Sequence, residues 1–320
     1  MNNQIYNLLI TGAGQLGSRY LQGLVKCQVP LKIFVHDISN YSLETAKNRW
    51  REANGLKSNH EVIYLNLIEN IPENLDLVIV STTASSRHDA ILSISKQSVV
   101  KYWVLEKILS QSLVDLENIS KLLGAKKNAW VNTPRRMMPW YKEIKSRLGT
   151  FSPIQMKIIG MNWGLSCNSL HFIDLFSWIT GEELINIKTN NLDKEWFESK
   201  RKGYWEVNGE LIGEFSNGSK LFLNSNVIEM ETEILIQESQ HWKILEQKGI
   251  AERNDGYVIK GNLFLQSELT PILVESILLK GYCDLPDLEE SLKQHKVFIK
   301  AILAHWNMSM KSDNNSVPIT

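Results

Sequence analysis

Cysteine is scarce: three in 320 residues, at positions 27, 167 and 283, with no CxxC pair. So sparse and scattered a set builds no disulfide framework and suits a reducing compartment. Net charge is also missing, since 35 Lys and Arg offset 35 Asp and Glu. That removes the basic footprint of a nucleic-acid binder, or of a protein held on acidic lipid. No apolar run approaches the roughly 18 residues needed to cross a bilayer. The N-terminus offers no signal peptide, because the run from Ile5 to Ile10 is short, contains Asn7 and leads straight into glycines. Repeats and low-complexity tracts are absent. What is present is a chain 43% hydrophobic, enough to fill real cores and exclude wholesale disorder. Its length suits two domains, or one large α/β unit. The expectation is a soluble cytoplasmic protein with no nucleic-acid and no membrane partner.

The first part of the chain alternates β-branched apolar runs with helical patterns. Strands are expected at Ile5–Ile10, Lys32–His36, Val62–Leu65, Leu75–Val80, Tyr102–Leu105 and Ala129–Asn132. Helices fall between them: one striped by Leu16, Tyr20 and Leu24, then Leu43–Glu52, His88–Ser95 and Leu113–Leu123. Such alternation implies right-handed crossovers and a doubly wound parallel sheet. The segment Leu148-Gly149-Thr150-Phe151-Ser152-Pro153 punctuates the chain, and strands outnumber helices after it. They are expected at Ile154–Asn162, Leu184–Asn190, Trp205–Phe215, Lys220–Val227, Thr232–Gln237, Trp242–Gln247 and Tyr257–Lys260. Turn signals such as Asn208-Gly209 and Asn217-Gly218 join several of them, which implies a mostly antiparallel sheet. One helix interrupts it at Asn168–Ile179, and a long one runs from Leu285 to Trp306. The fold class is therefore α/β: a doubly wound parallel sheet over 1–150, then an α/β domain with a mostly antiparallel sheet over 151–320.

Gly12-Ala13-Gly14-Gln15-Leu16-Gly17 fits G-x-G-x-x-G. The pattern alone is weak, but here it follows a strand and opens a helix. Asp37 ends the second strand 20 residues beyond Gly17. Those are the contexts a dinucleotide fingerprint requires. Gly12 permits the tight turn, Gly14 lets backbone approach a pyrophosphate, and Gly17 allows close helix–strand packing. The pyrophosphate would rest on a helix N-terminus, where free N–H groups favour an anion. Asp37 would accept bonds from the ribose hydroxyls and repel a 2′-phosphate, favouring NAD over NADP.

Further segments resemble those of the Gfo/Idh/MocA oxidoreductases. Ser81-Thr82-Thr83-Ala84-Ser85-Ser86-Arg87-His88 looks like their ATPxxxH segment, and Leu105-Glu106-Lys107 looks like their EKP motif. Arg136-Met137-Met138-Pro139 is similar to RxxP, His171-Phe172-Ile173-Asp174 to the HxxD helix, and Val317–Thr320 to a closing short strand. The order is kept over nearly the whole chain. The resemblance implies a dinucleotide-binding Rossmann domain over 1–150 and an α/β domain over 151–320 for substrate binding and oligomerisation. It implies hydride transfer between a nicotinamide and a carbon bearing oxygen, on a sugar, cyclitol or sugar nucleotide. It also implies Lys107 and His171 as the catalytic pair, and cofactor contacts from Ser81, Thr82, Thr83, His88, Glu106 and Lys107. Two departures stand out: Ile108 replaces the proline of EKP, and Cys167 stands where many members carry a catalytic aspartate.

The residues themselves point the same way. Lys107 follows the carboxyl end of a predicted parallel strand, the edge where open α/β sheets bind ligands. A lysine there stabilises developing alkoxide charge, or is simply a solvated cation. His171 and Asp174 are i, i+3 and share a helix face, so Asp174 could orient the imidazole for proton exchange; a packed helix histidine is the alternative. With Cys167 they lack an evident fourth ligand, so no metal is expected. The basic cluster at Lys200, Arg201 and Lys202, flanked by Tyr204 and Trp205, reads either as solvated loop or as an anion clamp for a phosphorylated substrate. Arg135 and Arg136 could serve the same purpose. A non-catalytic NAD-binding sensor, and a reductase of an unsaturated or imine substrate, compete with the dehydrogenase reading. An open antiparallel sheet invites cover by another subunit, so a homodimer or homotetramer is expected.

Overall fold

The computed structural model describes residues 4–124, 128–149 and 153–320. Two compact units are built from interleaved segments. The first comprises Met1–Ser110, Glu117–Asn132 and Phe264–Glu289; the second Gln111–Leu116, Thr133–Leu263 and Glu290–Thr320.

The first unit holds six strands: β1 (Tyr6–Thr11), β2 (Leu31–His36), β3 (Glu61–Leu65), β4 (Asn74–Val80), β5 (Val99–Glu106) and β6 (Ala129–Asn132). All pair in parallel in the order β3-β2-β1-β4-β5-β6. Helices α1 (Gly17–Leu24), α2 (Asn40–Glu52), α3 (Arg87–Gln97) and α4 (Leu113–Leu123) supply the crossovers. Leu8, Leu9 and Ile10 of β1 are wholly buried, as are Val78, Ile79 and Val80 of β4. A central parallel strand is covered on both faces, which is why these runs are continuously apolar. Strand order reverses between β1 and β4, so a crevice opens where the chain leaves their carboxyl ends.

In the second unit α5 (Pro139–Ser146) precedes β7 (Gln155–Met161) and α6 (Leu165–Thr180). Then follow β8 (Leu184–Glu198), β9 (Trp205–Phe215), β10 (Lys220–Asn226), β11 (Glu233–Gln237), β12 (His241–Leu245), β13 (Ile250–Arg253) and β14 (Val258–Lys260). They form one sheet, β14-β13-β12-β11-β7-β10-β9-β8, antiparallel throughout except for the β7–β10 pair. Met156, Ile158, Leu221, Leu223, Ile234 and Ile236 point to one face and are buried, while Gln155, Lys157 and Lys220 alternate outward. Across the buried face, Phe176 of α6 meets Phe215 edge-on at 4.8 Å.

Several expectations change. The segment before residue 150 does not part the units, since α5 already belongs to the second; Thr150–Ser152 lie outside the described residues. Helix α7 (Gln266–Lys280), for which the sequence reading has no element, returns to the first unit and packs on α1. The last helix, α8 (Leu288–Met310), starts three residues later than expected. Val317–Thr320 form no strand: Ser316 makes a single bridge to Ser112, and Val317 N–H donates to the Gln111 carbonyl at 3.0 Å. Pro318 has no N–H with which to extend a ladder.

Phe176 is fully buried. Replacing it by Ala removes the edge-on ring pair and leaves a cavity, a change that costs about 3–5 kcal/mol. The expected outcome is a correspondingly lower urea midpoint with an unchanged slope.

Candidate active site

Within the first unit, the turn after β1 is shaped by what its glycines exclude. Gly12 has φ +87°. A Cβ on Gly12 would lie 2.7 Å from the Thr82 nitrogen, and one on Gly17 would lie 1.8 Å from the Gly12 carbonyl oxygen. A Cβ on Gly14 would meet nothing within 4 Å. Two glycines therefore close the turn on itself, and the third leaves an open cradle. Ser81, following β4, donates its hydroxyl to the Gly12 carbonyl at 2.7 Å and so joins the two strand ends at the switch point. Asp37 accepts from the Ala13 N–H at 2.7 Å and the Ser39 N–H at 2.8 Å, which places its carboxylate beside the turn. Arg49 of α2, which sequence reasoning missed, donates to the Gln15 carbonyl at 2.7 Å and to its Oε1 at 2.5 Å. The Thr83 hydroxyl bonds Ser85 and Ser86 at 3.1 Å, and His88 Nδ1 lies 3.1 Å from Asp89. Thr82, Thr83 and Leu16 are half-buried around this turn.

Glu106 closes β5. Its carboxylate faces inward, accepting from the Tyr20 hydroxyl and from Asn132 Nδ2 at 2.7 Å; Asn132 also donates to Gln266 at 2.8 Å. Burial pushes the Glu106 carboxyl above its ordinary range and the Tyr20 phenol well above its own. The expectation of a cofactor contact from this carboxylate gives way to an interior role. Lys107 is half-buried, and its peptide bond to Ile108 is cis.

In the second unit, Gly164, with φ +79°, immediately precedes α6. The Ser166 N–H and hydroxyl donate to Glu206 Oε2 at 2.8 and 2.7 Å, placing a carboxylate at the favourable end of the helix dipole. Cys167, His171 and Asp174 follow at i, i+4, i+7 on one face. The stripe descends from half-buried Cys167 and His171 to wholly buried Asp174.

Asp174 meets Arg136, which donates Nε to Oδ2 at 3.1 Å and a terminal nitrogen to Oδ1. The same guanidinium reaches both Glu290 oxygens, at 2.8 and 3.2 Å. Arg135 forms a bidentate pair with Glu246 at 2.8 and 2.9 Å, joined by the Tyr141 hydroxyl at 2.6 Å, and lies 4.2 Å over the Phe172 ring. These pairings overturn the expectation that Arg135 and Arg136 await a substrate phosphate. Both are interior cations already held by carboxylates, and between them they pin the helix turn that carries His171. They also revise the role expected of Asp174, whose two oxygens accept from Arg136. Lys200, Arg201 and Lys202 are exposed in the β8–β9 turn, where Arg201 reaches the Thr320 hydroxyl at 3.3 Å and the Tyr204 ring at 5.8 Å.

No protein-family model matches the chain. The Salmonella typhimurium protein YceM, whose name places it among oxidoreductases, is 27% identical over 129 residues, 38% of this chain and 41% of that protein. The chain thus matches about two fifths of the length of that curated relative. Among solved structures, UDP-N-acetylglucosamine 3-dehydrogenase GnnA from Acidithiobacillus ferrooxidans superposes with TM-score 0.69 at 12% identity, over 96% of this chain and 99% of that one. An Agrobacterium radiobacter oxidoreductase, solved with NAD+, L-tartaric acid and magnesium, gives 0.72 at 14% identity, over 95% and 97%. Biliverdin reductase from Synechocystis, solved with biliverdin and NADP+, gives 0.71 at 14%, over 93% and 98%. The chain shares the fold of these three solved structures.

On this fold the segments named from sequence take definite places. The glycine turn, Ser81–Thr83 and Lys107 follow the carboxyl ends of β1, β4 and β5, and Asp37 follows β2. Arg136 and His171 belong to the second unit. Sequence reasoning missed Tyr20, Arg87, Tyr141, Glu206, Glu246 and Glu290. Their hydrogen bonds to Glu106, Ile108, Glu246, Ser166, Arg135 and Arg136 span 21 to 154 positions, with no local signal to show them.

Burial pushes the Asp174 carboxyl from 3.8 up to about 6, against the pull of Arg136. The folded protein then binds this proton more tightly than the unfolded chain. The stability it contributes is complete below about pH 4 and is lost as pH rises through 6, about 3 kcal/mol at most. Urea titrations between pH 4 and 7 are expected to show that decline in the unmutated protein and a shallower one in Asp174→Asn. Parallel profiles would contradict it.

Proposed function

We propose that the protein is an NAD-dependent oxidoreductase that transfers a hydride between the cofactor and a hydroxyl- or keto-bearing carbon of a sugar, cyclitol or sugar nucleotide. One observation carries the reading: a glycine turn at the strand-order reversal whose Gly14 alone has open space for a ligand, beside a carboxylate at the end of β2. Those residues fit a dinucleotide. The Gly14 backbone and the amides opening α1 would hold its pyrophosphate and Asp37 its adenosine ribose, with Ser81–Thr83, the chain leaving β4, lining the same site. Bound there, the nicotinamide supplies or accepts the hydride.

The chain's own residues do the rest. Lys107 polarises the reacting oxygen and offsets its developing negative charge. His171 exchanges the hydroxyl proton, a task suited to a group whose ordinary pKa of about 6.5 lies near working pH. With Arg136 and Arg135 already paired, recognition of any substrate phosphate falls to Lys200 and Arg201. Three free cysteines fit a reducing cytoplasm, and the broad sheet of the second unit supports assembly as a dimer or tetramer. Cys167 at the position of the family's aspartate favours one second reading, a sensor that binds NAD without turnover.

Three measurements test this. Gly14→Ala adds a methyl to open space, so the melting temperature should hold while NADH affinity falls about ten- to hundredfold, as for a 1–3 kcal/mol steric intrusion. Fluorescence titration should show NADH binding more tightly than NADPH, with Asp37→Ala narrowing the difference; an NADPH preference in the unmutated protein would sink the assignment. Against a panel of inositols, ketosugars and UDP-sugars, Lys107→Met and His171→Ala should keep NADH binding and lose about 10²–10⁴ in kcat. Their double variant should be little worse than the worse single one. Normal NADH binding with no turnover of any panel member would favour the sensor.

A further inference from the structure

Arg87 lies within the Ser81–His88 segment, where the sequence gives it no role in cofactor binding or catalysis, yet it is among the largest fully buried side chains of the first unit, at 2% exposure. It opens α3. From there its guanidinium donates to two carbonyls, that of Thr82 in the loop after β4 and that of Ile108 in the turn after β5. Its charge bears on Glu106, the interior carboxylate immediately before Lys107. A buried guanidinium has five N–H groups in a rigid plane and needs acceptors for them. Here the acceptors are the backbone of two separate loops at the ligand-binding end of the sheet.

The consequence falls on Lys107. Its preceding neighbour Glu106 is held by Tyr20 and Asn132, and its following neighbour Ile108 is held by Arg87 and wholly buried. Both flanks of the lysine are therefore tied to the core. We propose that Arg87 is a positioning residue that braces the Thr82 loop against the Lys107–Ile108 turn, fixing the lysine relative to the chain that would carry the cofactor. The proposal deepens the reading of Lys107 as the residue that polarises the substrate oxygen, and rests on it for its catalytic consequence only.

Arg87→Lys is the informative variant. It keeps the positive charge beside Glu106 but loses the planar fork, so one ammonium cannot span both carbonyls. Amide hydrogen exchange on the ligand-free protein is expected to quicken about tenfold or more in residues 81–86 and 107–110 together, while the glycine turn at 12–17 exchanges as before. Unchanged exchange in the two loops would overturn the brace. Should this variant fail to fold, Arg87→Gln with Glu106→Gln removes both buried charges at once and carries the same measurement.

The catalytic arm uses the panel substrate that turns over best. Arg87→Lys should lower kcat by about ten- to hundredfold with a smaller change in KM, since a displacement near 1 Å costs that order. Placed on Lys107→Met, it should cost almost nothing more, because the residue it positions is gone. A loss that multiplies in the double variant would show that Arg87 does not act through Lys107. If Lys107→Met itself kept full turnover, the reading of Lys107 would fail instead, and the exchange measurement alone would decide the brace.

Discussion

A guanidinium that leaves water must bring its acceptors with it, and that requirement organises both units. Moving an unpaired charge into the interior costs several kcal/mol even after relaxation, so each buried arginine obliges distant parts of the chain to converge on it. Arg87 draws two backbone carbonyls together, Arg136 joins Asp174 to Glu290, and Arg135 joins Glu246 to Phe172. These contacts add specificity more than stability, because a well-packed apolar substitute would often be as stable. What they supply is position: each fixes a turn or helix that carries a residue of the candidate site.

The glycine turn obeys a different constraint, one of volume. At Gly17 the carbonyl of Gly12 already occupies the place of a Cβ, and at Gly12 the Thr82 nitrogen does nearly the same. Those positions are closed by packing whether or not a ligand binds. Gly14 has no such neighbour, so only its openness bears on binding. Three glycines of one motif thus divide into two that make the turn and one that leaves open space beside it.

Helix α6 joins these themes in the second unit. Its N-terminus rests on Glu206, its middle is pinned through Phe172 and Asp174, and its far end stops at Gly181, with φ +71°. His171 lies half-exposed between two fixed points. A rigid helix is a better platform for a proton-exchanging group than a loop, since its geometry is already settled before a substrate arrives. Cys167 lies one turn earlier on the same face.

The sequence by itself determined the alternation of strands and helices in the first 132 residues, because each parallel strand must be apolar on both faces and each crossover helix on one. It also determined the glycine turn, whose spacing follows from steric needs within a few residues. Strand positions in the second half were legible from alternation and turn pairs, though α7 was not: its one buried face, which carries Leu269, Leu273, Val274 and Ile277, is blurred in sequence by Pro271 and by the exposed Ile272 and Leu279. Tertiary structure alone decided which unit each segment joins and which arginines are available. Arg136 and Arg201 look alike in sequence, and nothing local distinguishes a cation beside two carboxylates from one in water. Their partners lie 38, 119 and 154 positions away. A charge's role depends on its desolvation and its partner, and both are settled only when distant segments pack.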